Sequence, residues 1–153
     1  MLPTVDLVLL ALLIGFTVFV PLLCAPLLVA ASVRRLFTDF PTGTLPLNYA
    51  LGVGGFAFGH AITVFTALFV ATAGGGANLL VVFRTAVGVT AGLLVVAWLT
   101  VALGLPRLGR WDVTGDGIDG RLVLAVGCVW YLCCAVAIFA LGSLVVFAFS
   151  FPG

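Results

Sequence analysis

The chain predicts an all-α, polytopic integral membrane protein: four transmembrane helices in one compact bundle over residues 1–153, with both termini outside. Three observations predict it. Of 153 residues, 64% are hydrophobic and only 7% charged, and every charged side chain is Arg or Asp. Soluble domains carry near 25% charged residues, and the mean hydropathy of +1.41 lies far on the apolar side. Apolar runs cover 7–33, 45–73, 79–105 and 122–151, each longer than the about 20 residues needed to cross a ~30 Å hydrocarbon core. Arg34, Arg35, Arg107, Arg110 and Arg121 fall in the connections 34–44 and 106–121, whereas 74–78 has no basic residue. The positive-inside rule therefore predicts cytoplasmic loops at 34–44 and 106–121, and a short outer loop at 74–78.

A transmembrane β-barrel fails on pattern, because barrel strands alternate apolar and polar residues. These runs are apolar on every face, and in lipid such segments must satisfy their backbone internally, which means helix. A net charge of +1 gives no case for nucleic acid. The expected surroundings are membrane lipid, other membrane subunits or further copies of the chain, most simply in the cytoplasmic membrane.

The first run, 7–33, lacks the basic n-region of a signal peptide, exceeds an h-region in length, and ends at Arg34–Arg35 like a stop-transfer flank. Pro21 and Pro26 each remove a backbone donor and crowd the preceding turn, so a kink or break is expected there. In the first loop, Phe37 and Phe40 mix with Arg34, Arg35 and Asp39, a composition suited to the headgroup layer. Thr44 with Pro46 reads as a helix start.

The second run carries a stripe of small residues. At 100° per residue, Gly52, Gly55, Gly59, Thr63 and Thr66 lie within a sector of about 80°. Gly55 and Gly59 form a Gly-x-x-x-Gly step, which lets helix backbones approach closely. Gly88 and Gly92 repeat the theme on the third run. The expectation is helix packing through these faces, within the bundle or against a second copy.

His60 lies near the middle of the second run, where an ionisable side chain is a functional hypothesis by default. With Thr63 and Arg84 it makes a candidate intramembrane polar site. One reading is structural, with neutral His60 bonded to a carbonyl or threonine of another helix. Others are transport or proton handling along a path with Arg84, or ligation of haem or metal. Arg84 can snorkel outward or pair with Asp6 across the outer rim.

The third loop contains Asp112, Thr114 and Asp116 at alternate positions followed by Gly117, which resembles the start of a calcium loop. The bidentate acid at the twelfth position is missing, since Val123 stands there. A solvated turn is the simpler expectation, and no metal is assigned. Cys24, Cys128, Cys133 and Cys134 all lie inside spans with no Cys-x-x-Cys pair, as expected of small packing residues.

Ser32, Ser143 and Ser150 have no obvious histidine partner, and Glu and Lys are absent, so no nucleophile–base–acid set is legible. The functional expectation is a small non-catalytic membrane component, an accessory or structural subunit acting through helix–helix association. The alternatives are a small oligomeric transporter or channel using His60 and Arg84, and a haem-binding electron-transfer subunit using His60.

Overall fold

The computed structural model describes residues 4–38, 42–73, 79–114 and 118–150, and every regular element among them is helical. Helix α1 runs Thr4–Cys24 and passes into a 3-10 turn, Ala25–Val29; α2 is Ala31–Thr38. Helix α3 starts at Leu45–Tyr49, widens into a π turn at Ala50–Gly54 and continues over Gly55–Thr72. Helix α4 covers Leu79–Leu99, a second π turn at Thr100–Gly104, and Leu105–Arg107. Helix α5 is the single run Gly120–Ser150.

Three helices are long and apolar enough to cross a membrane, and a fourth span results if α1 and the bent segment after it count as one. The long helices form a ring: α1 packs on α3 and α5, and α4 packs on the same two. At the centre lie Val20, Cys24, Ala57, Leu94, Tyr131 and Ala135, with Phe16, Leu27, Phe56, Cys128, Leu132 and Ile138 packed around them.

The first span departs from its expected extent of 7–33. The chain turns at Ala30 (φ −70°, ψ 120°), and α2 leaves the axis of the preceding segment by 118°. Pro21 is accommodated inside α1, while Pro26 sits in the first turn of the 3-10 segment. Ending a helix this way leaves carbonyls without helical donors, and aromatic side chains from other helices supply them. Tyr49 Oη donates to Pro21 O at 2.6 Å, and Trp130 Nε1 donates to Leu23 O at 2.9 Å. Leu23 needs that donor because Pro26, three residues on, has no N–H to give it.

The end of α4 follows the same logic. Pro106 cannot donate to Ala102 O, four residues back, and Arg121 Nε fills the vacancy at 3.1 Å. Trp98 Nε1 donates in return to Arg121 O at 3.1 Å, so α4 and α5 are clamped from both sides. The helix then closes in a Schellman turn. Gly109 adopts φ +64°, its N–H reaches Pro106 O at 3.0 Å, and Arg110 N–H reaches Leu105 O at 3.0 Å.

Loop 108–114 returns to α2 through Trp111. Trp111 is buried, its Nε1 donates to Ser32 O at 3.0 Å, and its ring lies over Gly120. At the far end of α2, buried Asn48 donates from Nδ2 to Phe37 O at 2.8 Å. Asn48 Oδ1 meanwhile accepts from Thr42 N at 3.0 Å and from Thr42 Oγ1 at 2.6 Å. The Phe37 ring packs edge-on to Tyr49, with centroids 5.3 Å apart, and against Gly52. Helix α2 is thus pinned at both ends.

Candidate functional site

The polar centre of the bundle is built on His60, which is buried on the inner face of α3 with Ala57, Ala61 and Val64. Ala86, Thr90 and Leu94 form the matching buried face of α4, and Tyr131 and Ala135 that of α5. His60 Nε2 lies 2.7 Å from Thr90 Oγ1, and Tyr131 Oη lies 3.1 Å from His60 Nδ1. Thr90 Oγ1 donates to Ala86 O at 2.7 Å. Once that hydroxyl proton is committed, the tautomer satisfying every atom carries its proton on Nε2. Tyr131 then donates to Nδ1, His60 Nε2–H donates to Thr90, and Thr90 donates to the Ala86 carbonyl.

Three rings enclose the imidazole. Phe16 of α1 has its centroid 5.2 Å from that of His60, Tyr131 is at 5.6 Å, and Phe56 stacks at 6.3 Å with planes 11° apart. Phe56 and Tyr131 also meet edge-on at 5.4 Å. One histidine therefore ties together all four long helices. Among the described residues, no buried side-chain nitrogen or oxygen lacks a hydrogen-bond partner. The chain of donors ends on the Ala86 carbonyl of α4.

Of the residues grouped with His60 from sequence, neither joins it. Thr63 is exposed and donates to Gly59 O on its own helix at 2.8 Å. Arg84 is exposed on α4, off the buried face that carries Ala86 and Thr90. The Asp6 side chain lies outside the described residues, and with it the Asp6–Arg84 pair. Haem or metal ligation by His60 would require surrendering one of its two ring hydrogen bonds. Among the described residues, no group of three or more His, Cys, Asp or Glu is arranged to hold a metal ion.

Packing of α3 on α4 through the glycine faces is corrected by the structure. Gly55, Gly59, Gly88 and Gly92 have nothing within 4 Å of where a Cβ would stand. The buried small residues of these helices are instead Ala57, Ala61 and Ala86. Of the five glycines read as packing residues, only Gly52 meets a neighbour, Phe37 Cε1 at 3.0 Å.

In the third loop, Thr114 donates to Asp112 Oδ1 from its backbone N–H at 2.9 Å and from Oγ1 at 3.0 Å. These bonds hold the Asp112 carboxyl below its ordinary pKa, with a smaller contribution from nearby Arg35. The pair makes a local turn of the Asx type; Asp116 lies outside the described residues.

Sequence reasoning missed Thr90, Tyr131, Asn48 and Trp111. For Asn48 a signal existed: a side-chain amide within an apolar run needs partners just as a histidine does. Thr90 and Tyr131 carried none, being 30 and 71 residues from His60.

An all-helical chain whose long helices are apolar enough to span a bilayer, with one closed polar knot at its centre, is the class defined by this geometry. The chain belongs to the family described as a domain of unknown function, DUF8162, whose model matches residues 4–153. No curated protein and no solved structure matches it.

Proposed function

We propose that the protein is a four-span component of the cytoplasmic membrane, its arginine-rich end in the cytoplasm and its termini outside. In this reading it serves as a non-catalytic accessory or structural subunit that associates through its helices. The observation that supports it is the outer face of α3. Gly55 and Gly59 form a Gly-x-x-x-Gly ridge that the chain's own helices leave uncovered. In lipid such a ridge gains most from a second helix, because close backbone approach adds van der Waals contact where no hydrophobic force operates. Gly88 and Gly92 offer a smaller face of the same kind on α4. Among the described residues, by contrast, every buried side-chain nitrogen and oxygen has a hydrogen-bond partner within the chain.

Single-molecule photobleaching in liposomes tests the association, alongside purification from native membranes. Gly55→Leu and Gly59→Leu should each weaken association about tenfold, equivalent to about 1.4 kcal/mol. Thermal stability in detergent should hold, because both positions are exposed and a Cβ at either meets nothing within 4 Å. A chain that stays monomeric at every protein-to-lipid ratio and is purified without any partner would end this reading.

A further inference from the structure

Helix α2 is amphipathic. Val33 is buried and Leu36 and Phe37 half-buried along one stripe, while Arg34 and Arg35 stand exposed on the other. The helix is swung 118° from the segment before it, and it is pinned through Trp111 to Ser32 O and through Asn48 to Phe37 O. It lies at the end of the bundle where α1 breaks and α5 begins, since the ring of Trp111 touches both Ser32 and Gly120. The same junction brings in Arg110, next to Trp111, and Arg121, next to Gly120. Exposed Arg107 is one turn earlier on α4. Three chain segments thus deliver arginines, with exposed Asp112 and Asp119 among them, to one end of an apolar bundle, around a helix turned across the direction of the spans.

From this arrangement we infer that α2 is an interfacial helix that binds the phosphate headgroups of anionic lipids. Exposed Arg34 makes the principal contact, and exposed Arg107 extends the basic surface. The inference rests on residence in a bilayer and is independent of the glycine-mediated association. Guanidinium groups suit phosphate because their N–H donors form a planar fork that pairs with two oxygens. An amphipathic helix in the interface plane gains both from burying its apolar stripe and from attraction to anionic lipid. Each basic side chain at an anionic surface changes affinity about fivefold. A rigidly held helix loses little freedom when lipid binds, which is what the two anchoring bonds provide.

The test is competitive lipid retention by the full-length protein in neutral detergent, read by native mass spectrometry, with equal phosphatidylglycerol and phosphatidylcholine. Wild type should retain the anionic lipid preferentially. Arg34→Gln/Arg107→Gln should lower that preference roughly twenty-five-fold, whereas Arg34→Lys/Arg107→Lys should keep most of it. Arg84→Gln removes one positive charge away from the α2 surface and should leave the preference unchanged. Melting curves in phosphatidylcholine alone should coincide for all variants, separating lost binding from lost fold. Inorganic phosphate at matched concentration should displace none of the lipid. Equal retention of both lipids, an equal loss in Arg84→Gln, or displacement by free phosphate would overturn the inference.

Discussion

His60→Ala is expected to destabilise the protein by about 3–6 kcal/mol in reversible unfolding from mixed micelles. Two contributions add. The hydrogen bonds to Thr90 and Tyr131 are lost, and such bonds in membranes average only about 0.6 kcal/mol each. The larger share comes from the hole left among Phe16, Phe56 and Tyr131. Large-to-small substitutions in packed cores typically cost about 2–5 kcal/mol, because neighbours fixed in helices relax only partly. Tyr131→Phe separates the terms: it keeps the ring and removes the hydroxyl, so it should cost between about 0.6 and 1.7 kcal/mol. In the double variant the two effects should fall short of their sum, since both remove one interaction. A His60→Ala protein within about 0.5 kcal/mol of wild type would show that the knot does not hold the bundle together.

How much of this was legible beforehand depends on what lipid does to sequence signals. Length and continuous hydrophobicity mark helices 45–72 and 79–107 closely, because the bilayer imposes a minimum span irrespective of packing. Which face of each helix turns inward was not legible. In a soluble protein the apolar stripe declares the core, but a helix apolar all round carries no such stripe. Small residues were the substitute clue, and they misled: nothing stands within 4 Å of a Cβ at Gly55, Gly59, Gly88 or Gly92, while Ala57, Ala61 and Ala86 are buried. The proline signal located the trouble in the first span, yet the turn itself falls at Ala30. The reason lies in donors distant in the chain. Tyr49, Trp130 and Trp111 satisfy the carbonyls around the break, so it is stable where they can reach it. His60 was legible as costly to bury, and its threonine contact belongs to the structural reading considered for it. Its partners were not legible, because tertiary contacts leave no periodicity.

Gly120→Val should produce the other large effect, at a position that the sequence does not mark. A Cβ at Gly120 would stand 2.6 Å from Trp111 Cζ2 and 3.1 Å from Ser32 Cβ. The indole cannot swing aside freely, because Nε1 is bonded to Ser32 O. Either the ring stays and the start of α5 moves, or the ring moves and a buried carbonyl loses its donor. Overpacking costs about 1–3 kcal/mol, and an unsatisfied buried polar group about 1–3 kcal/mol. Removing a helical glycine returns at most about 1 kcal/mol of backbone entropy, so the steric term wins. Even Gly120→Ala should lower the melting temperature and shift tryptophan emission, as Trp111 loses its buried position. Trp111→Leu combined with Gly120→Ala should be milder than the two losses added, because the first change empties the space that the second fills. If α2 depends on Trp111 for its orientation, Gly120→Val should also weaken retention of anionic lipid while leaving every arginine in place. A variant with wild-type stability and unshifted emission would mean that the Trp111–Gly120 contact does not position α2.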